Sequence, residues 1–304
     1  MKQLQQLAQQ AGFQDCFVLP PEKFIHYERR LLDGALHENG LHLVYDPAEQ
    51  LPWANALLLL LLPYRPYAPA CGVSGNYPSS NQAYHAANKM LENLRDAGIR
   101  GERVYVPIRE LALRSGIGIA CDNGLTAYDG YGTRAAVQTL AAEIPDVEYE
   151  PMRPERTCSH CGQCAAVCPG GAITERGFDY HRCMRAYMEK QAMPDWVMDA
   201  MDSILGCEIC QFACPLNAQV APLETVPDAF ELEKLIRGET KPALALVGAN
   251  LNAGGRLIAH AIVLATHQNR VDLLPLIRPY AEDARPAVAS AAKYAICRLQ
   301  ETQF

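Results

Sequence analysis

The apolar residues near the N-terminus recur at helical spacing. Leu4, Leu7, Ala8 and Ala11 share one face, and Gly12 ends the pattern. Asp15 to Leu19 reads as a short strand before Pro20-Pro21, and a second helix is predicted over Phe24–Leu36. Asn55–Pro63 holds six consecutive leucines. A continuous apolar run of this length suits a strand covered on both faces. Leu is not β-branched, so a buried helical turn is the alternative; the strand is preferred.

Pro63–Pro78 is rich in Pro, Tyr and Gly and reads as an irregular functional loop. Ser79-Ser80 is placed to cap a helix running to about Ala97, with Gly98 as its stop. Arg103–Pro107 reads as a strand and Arg109–Ser115 as a helix closed by Gly116. Gly118–Gly132 is polar and Gly-containing, and the composition of Thr133–Ile144 suits a helix. The prolines at 145, 151 and 154 mark a linker and a domain boundary. Beyond Pro222–Pro227 the chain is rich in Ala and Leu, with amphipathic segments at Gly255–Thr266, Val271–Tyr280 and Pro286–Leu299. Their short polar links suit stacked antiparallel helices, similar to a short HEAT-like pair. The expected fold class is α+β. It comprises an N-terminal α/β domain (1–150), a module (151–220) that the Cys-x2-Cys-x2-Cys-x3-Cys-Pro run at Cys158–Pro169 marks as two-cluster and ferredoxin-like, and a helical HEAT-like domain (221–304).

Composition changes this picture little. Of 304 residues, 49% are hydrophobic and 20% charged, as in an ordinary globular protein. A net charge of -7 argues against a protein dominated by phosphate contacts, although a local basic patch fits within an acidic total. Ala56–Leu62, the longest apolar run, is far short of a membrane span, so no membrane partner is expected. The start, Met-Lys-Gln-Leu-Gln-Gln-Leu, lacks the apolar core of an export signal. Twelve cysteines in such a chain point to metal ligation in a reducing cytoplasm.

The cysteines carry the chemistry. Cys158-Ser-His-Cys161-Gly-Gln-Cys164-Ala-Ala-Val-Cys168-Pro169 fits the ferredoxin spacing C-x2-C-x2-C-x3-C-P at every position. A tight loop aims three thiolates at one cubane, and the fourth Cys, beyond the loop, serves the other cluster. The second run, Cys207-x2-Cys210-x3-Cys214-Pro215, supplies three positions; the missing one falls to Cys183, with twenty-three residues where a ferredoxin has two. Cluster one is therefore assigned to Cys158, Cys161, Cys164 and Cys214, and cluster two to Cys168, Cys183, Cys207 and Cys210. A pair of structural zinc sites is the competing reading, but zinc needs neither a third Cys at the same spacing nor Cys-Pro after each run. Cys16, Cys71, Cys121 and Cys297 are expected to be small buried apolar residues. The long insertion after Cys183 carries apolar residues at helical spacing. It is expected to be ordered and to shape the active site, or else only to pack against the rest of the chain.

These residues resemble the epoxyqueuosine reductases, cobalamin- and iron–sulfur-dependent enzymes of queuosine biosynthesis. The resemblance rests on the two cysteine runs, including Gly206-Cys207-x-x-Cys210-Gln211-x-x-Cys214-Pro215-x-Asn217. It rests also on Arg109-x-x-Ala112-x-x-x-Gly116-Ile117-Gly118 followed by Asn123, on Tyr84-His85, and on the helical tail. The resemblance implies reduction of an epoxide on tRNA, with a low-potential electron donor as partner. It implies two 4Fe–4S clusters and a cobalamin held near Tyr77, Asn123, Thr126 and Tyr128, with no side chain below the cobalt, since no histidine lies in an Asp-x-His-x-x-Gly motif. Counting back from Arg109 places the family's proton-donating Asp at Glu102. Asp122 stands where the family usually has Lys, and the helical tail is shorter than in its longest members. His160 and His181, beside cluster cysteines, fit a tuning or shielding role. Arg176, Arg182, Arg185 and Lys190 are candidates for a basic patch toward tRNA, or for an ordinary solvated face. Two other functions remain open: an iron–sulfur electron-transfer protein, and a corrinoid-reactivating reductase without a tRNA substrate.

Overall fold

The computed structural model describes residues 2–32, 43–190 and 192–301. The chain forms two compact units, residues 1–64 with 82–161 and residues 65–81 with 162–304.

The first unit is built on one four-stranded sheet. Helix α1 (Lys2–Ala11) precedes β1 (Asp15–Leu19), followed by α2 (Ile25–Leu32), the short α3 (Pro47–Gln50) and β2 (Ala56–Pro63). The part of the expected second helix beyond Leu32 lies outside the described residues. Helix α4 (Asn76–Asp96) leads to β3 (Arg100–Arg103) and α5 (Ile108–Arg114). After them come the short strands β4 (Gly118–Ala120) and β5 (Thr126–Tyr128), then β6 (Ala135–Glu143) and β7 (Arg156–Thr157).

The sheet order is β1-β2-β6-β3, and all three pairings are antiparallel. This corrects the expected α/β character of the N-terminal part. The α4 crossover returns β3 in the direction of β2 but one place away, and β6 enters between them in the opposite sense. Thr133–Ile144 is therefore a central strand and not a helix. Its alanines read as helix formers in isolation. In the fold they let β6 lie against β2, with Ala142 opposite Ala56 and Leu140 opposite Leu58, and the packing overrides the propensity.

The polyleucine strand serves two cores. Leu58, Leu60 and Leu62 pack with Leu4 and Ala8 of α1 and with Ala87 and Met90 of α4. Leu57, Leu59 and Leu61 face Phe24, Leu111, Ala112 and Tyr128. Leu57 to Leu60 are fully buried, the two-sided burial that the continuous apolar run required. Two boundaries moved. The third strand is Arg100–Arg103, three residues before its expected start. Helix α4 begins at Asn76, because the Ser79 hydroxyl bonds back to the Gly75 carbonyl at 2.7 Å instead of capping an N-terminus.

The second unit contains the short helix α6 (Gln163–Ala166), the hairpin β8 (Ile173–Thr174) and β9 (Gly177–Phe178), α7 (Met184–Met188), α8 (Asp195–Ala200) and α9 (Ile209–Phe212). The tail adds α10 (Leu232–Ile236), α11 (Lys241–Val247), α12 (Arg256–His267), α13 (Leu274–Ile277) and α14 (Pro286–Glu301). Helix α12 packs on α10 and α14 and is buried from Leu257 to Thr266. The insertion after Cys183 joins this helical core through Met184, Met188, Met193, Val197, Met198, Met201 and Ile204. Among the described residues, no helix is long and apolar enough to cross a membrane.

Candidate metal centre

In the first unit the three-stranded sheet β5-β4-β7 carries two loops at one end. One is Cys121–Leu125. The other begins at Cys158, whose amide bonds the Ala120 carbonyl at 2.9 Å as β7 runs parallel to β4. The motif beginning at Arg109 builds this platform. Arg109 on α5 donates to the carbonyls of Gly124 (3.1 Å) and Leu125 (2.6 Å) and to the Thr126 hydroxyl (3.4 Å). Gly116 has φ +69°, and a Cβ there would lie 2.5 Å from the Arg153 carbonyl oxygen. A Cβ on Gly118 would lie 2.6 Å from Thr126 Cγ2 and 3.0 Å from Ala112 Cβ. The small residues of the motif thus let the β4–β5 hairpin lie directly on α5. Arg156 Nη1 donates to both carboxylate oxygens of Asp129 (2.9 and 3.0 Å), and its Nη2 donates to the Ile117 carbonyl.

The two loops are tied together. The carboxylate of Asp122 meets His160 Nδ1 at 2.7 Å, and His160 Nε2 lies 3.3 Å from the Thr157 hydroxyl. His160 has φ +53°, a left-handed conformation. Asp122, His160 and Cys158 place their ligand atoms within 4.8 Å of one another. The departure from the family pattern at 122 therefore has a local partner in the first cysteine loop.

In the second unit the remaining cysteines of the two runs, with Cys183, lie on short helices and turns. Helix α6 with Cys164 packs against α9 with Cys210. The Ala172 amide donates to Cys168 Sγ at 3.3 Å. Gly170 is enclosed so closely that a Cβ there would sit 1.9 Å from the Arg182 carbonyl oxygen, so the turn after Cys168 lies against the backbone entering Cys183. Burial pushes the Cys207 thiol up to about 12, against the Ile209 amide; Cys210, Asp202 and Cys183 add to the upward push. The turn that follows Cys168 thus meets the chain just before Cys183. A bound metal reverses the preference for the neutral thiol, because coordination deprotonates it outright. The donor set fits iron–sulfur clusters: soft thiolates, half buried, with an amide aimed at one sulfur. The closing Asn217 is explained as well: its side-chain amide donates to the Gln211 carbonyl at 2.7 Å and folds the turn after Cys214.

The residues expected to hold a corrinoid are engaged locally. The Asn123 side-chain oxygen Oδ1 accepts the Leu125 amide at 3.1 Å, and the Thr126 hydroxyl faces Arg109. Tyr128 is 4% exposed within the core, and burial pushes its phenol up. Tyr77, in the second unit, donates to Glu189 and accepts from Arg185 at 2.9 Å. These side chains shape preformed surfaces more than they present free polar groups. Glu102 lies on the edge strand β3, exposed and 3.0 Å from Arg100, on a different sheet from the Asn123 loop. His85 is exposed and edge-on to Tyr84. Of the proposed basic patch, Arg185 is held by Tyr77 and Glu189, and Lys190 lies over the Tyr187 ring. Cys16 and Cys121 are buried as expected; Cys71 is half buried, its thiol directed at the Glu224 carbonyl, and Cys297 is exposed on α14. Sequence reasoning quoted Arg109 only as part of a motif; its role as the tie of the Asn123 loop became visible only with the loop's carbonyls in place.

Comparisons with known proteins agree with this picture. Residues 157–217 match the family described as a 4Fe-4S double cluster binding domain. Over 212 residues the chain is 26% identical to an epoxyqueuosine reductase of Bacillus subtilis, covering 64% of this chain and 54% of that protein. It is 29% identical over 206 residues to an epoxyqueuosine reductase of Cyclobacterium marinum, covering 62% and 61%. The chain thus spans a little over half the length of the curated relatives it matches. In structure it superposes on epoxyqueuosine reductase from Streptococcus thermophilus with a TM-score of 0.81 at 19% identity, covering 99% of this chain and 90% of that one. An epoxyqueuosine reductase solved with an epoxyqueuosine-modified tRNA stem loop gives 0.78 at 20% identity, covering 98% and 89%. The chain is thus similar in sequence to epoxyqueuosine reductases, shares their fold, and matches a 4Fe-4S double cluster binding domain at residues 157–217.

Proposed function

We propose that this chain is an iron–sulfur- and cobalamin-dependent reductase that converts epoxyqueuosine in tRNA to queuosine in the cytoplasm, fed by a low-potential electron donor. The observation that carries the reading is the match of residues 157–217 to a 4Fe-4S double cluster binding domain within a fold shared with the epoxyqueuosine reductases; cluster two takes Cys168, Cys183, Cys207 and Cys210. Cluster one takes Cys158, Cys161, Cys164 and Cys214. Bound clusters would supply single electrons and a bound corrinoid a low-potential cobalt centre. Reducing the epoxide to an alkene consumes two electrons and two protons and releases water. The chain's own part is to hold the cofactors, exclude water and deliver a proton. In this reading Glu102 donates that proton. Tyr77, Asn123, Thr126 and Tyr128 shape the surfaces that meet the corrin, with Arg109 and the Asp122–His160 pair fixing the loop. The module boundaries near 150 and 220 separate the corrinoid part, the cluster part and the helical part.

The decisive experiment is queuosine analysis of tRNA from cells lacking this protein. Accumulation of epoxyqueuosine, reversed by the wild-type chain but not by Glu102→Gln, supports the reading; normal queuosine refutes it. The local engagement of Tyr77, Asn123 and Tyr128 favours a second reading, an electron-transfer protein that holds no corrinoid. Cobalamin absorbance retained after anaerobic reconstitution and gel filtration excludes that reading.

A further inference from the structure

We infer that His260 is a positioning residue for Cys207, fixing the backbone that delivers this sulfur to the second cluster. The inference rests on the cluster reading above. His260 lies in α12, 3% exposed, far from the cysteines in sequence. Its Nδ1 accepts the Leu205 amide at 3.3 Å, and its Nε2 meets the Met188 carbonyl at 3.0 Å. A carbonyl only accepts and an amide only donates, so the proton must sit on Nε2 and the ring must be neutral. One imidazole thus joins the two ends of the insertion: the last residue of α7 and the residue two places before Cys207.

The backbone at this point needs holding. Leu205 has φ +70°, a conformation disfavoured for a branched side chain, and Gly206 follows with φ +138°. Such a residue persists only where its surroundings over-determine it. Its neighbours are tied down. The Ile204 amide donates to the Gly72 carbonyl at 2.8 Å, and the Ile204 carbonyl accepts from Ser74 at 3.0 Å. The Gly206 carbonyl accepts the Ser203 hydroxyl at 2.7 Å. The Leu205 amide is taken by His260. Hydrogen bonding and burial around a ligating sulfur set a cluster's potential, and groups outside the ligand set orient the ligands. A histidine of the helical tail therefore has a route to cluster two that involves no contact with iron.

Two near-isosteric substitutions separate the two bonds. In His260→Asn the side-chain oxygen takes the place of Nδ1 and can still accept from Leu205. In His260→Gln the side-chain amide reaches the Met188 carbonyl and leaves the Leu205 amide unpaired. Both are made in the full chain, reconstituted anaerobically, and followed by iron content, redox titration of the cluster paramagnetic resonance signals, and circular dichroism. The expected result is that His260→Asn keeps both signals at their wild-type potentials, whereas His260→Gln shifts or loses one of the two. Glycine adopts the Leu205 conformation without strain, so Leu205→Gly in the His260→Gln background is expected to restore the lost signal. This second variant also serves if His260→Gln alone accumulates unfolded. Equal behaviour of the Asn and Gln variants, the reverse order of their effects, or no rescue by Leu205→Gly overturns the inference. Wild-type protein without two cluster signals would instead refute the cluster reading itself, so the two failures are distinguishable.

Discussion

The carboxylate of Asp122 lies 2.7 Å from Nδ1 of His160, joining the loop after β4 to the loop that opens the first cysteine run. Both residues are partly solvent-exposed, so the pair contributes little to global stability, at most about 1 kcal/mol. Its consequence is local. Asp122→Ala and His160→Ala are each expected to raise amide hydrogen exchange in 121–125 and 158–161 together while leaving β2 and β6 protected. Exchange that rises only in the substituted loop would show that the two loops are not coupled.

Gly118 sits where a Cβ would meet Thr126 Cγ2 at 2.6 Å and Ala112 Cβ at 3.0 Å. Gly118→Ala is expected to cost about 1–3 kcal/mol in urea unfolding, the usual range for overpacking. Thr126→Ser removes Cγ2 and should recover part of the loss in a double-mutant cycle. Additive effects of the two substitutions would contradict the close hairpin–helix contact.

Burial lowers the His260 pKa from 6.5 to about 4, against the hydrogen bond to Met188, with Arg256 lowering it further and Glu189 opposing. Between these values the unfolded chain binds a proton that the folded chain does not, so stability falls as pH drops from 6.5 to about 4. Fully developed, the loss is on the order of 3 kcal/mol. His260→Asn removes this term. Its stability deficit relative to wild type should be constant above neutral pH and shrink as the pH falls toward 4. A deficit that stays constant across the whole range would contradict a buried neutral imidazole.

How much of this was legible in the sequence follows from where the information lay. The cysteine spacing carried the double-cluster domain at 157–217, because a cubane imposes short, fixed intervals on its loop. The leucines of β2 carried its two-sided burial. The alanines of β6 misled, since Ala favours a helix locally and only the flanking strands make a place for it in a sheet. Glu102 was reached by counting, and the spacing carried no sign that it pairs with Arg100 on an edge strand. His260 gave no signal either. Its partners are a carbonyl and an amide seventy-two and fifty-five residues away, and backbone groups leave no mark in a sequence.

A pair of clusters with crossed ligands makes a quantitative demand on iron. It is tested most directly by iron analysis and electron paramagnetic resonance of the anaerobically reconstituted chain, with Cys183→Ala alongside. The wild type is expected to hold about eight irons per chain, and the variant about four with one cluster signal retained. About four irons or fewer in the wild type, stoichiometric zinc in place of iron, or equal loss of both signals in Cys183→Ala would contradict it.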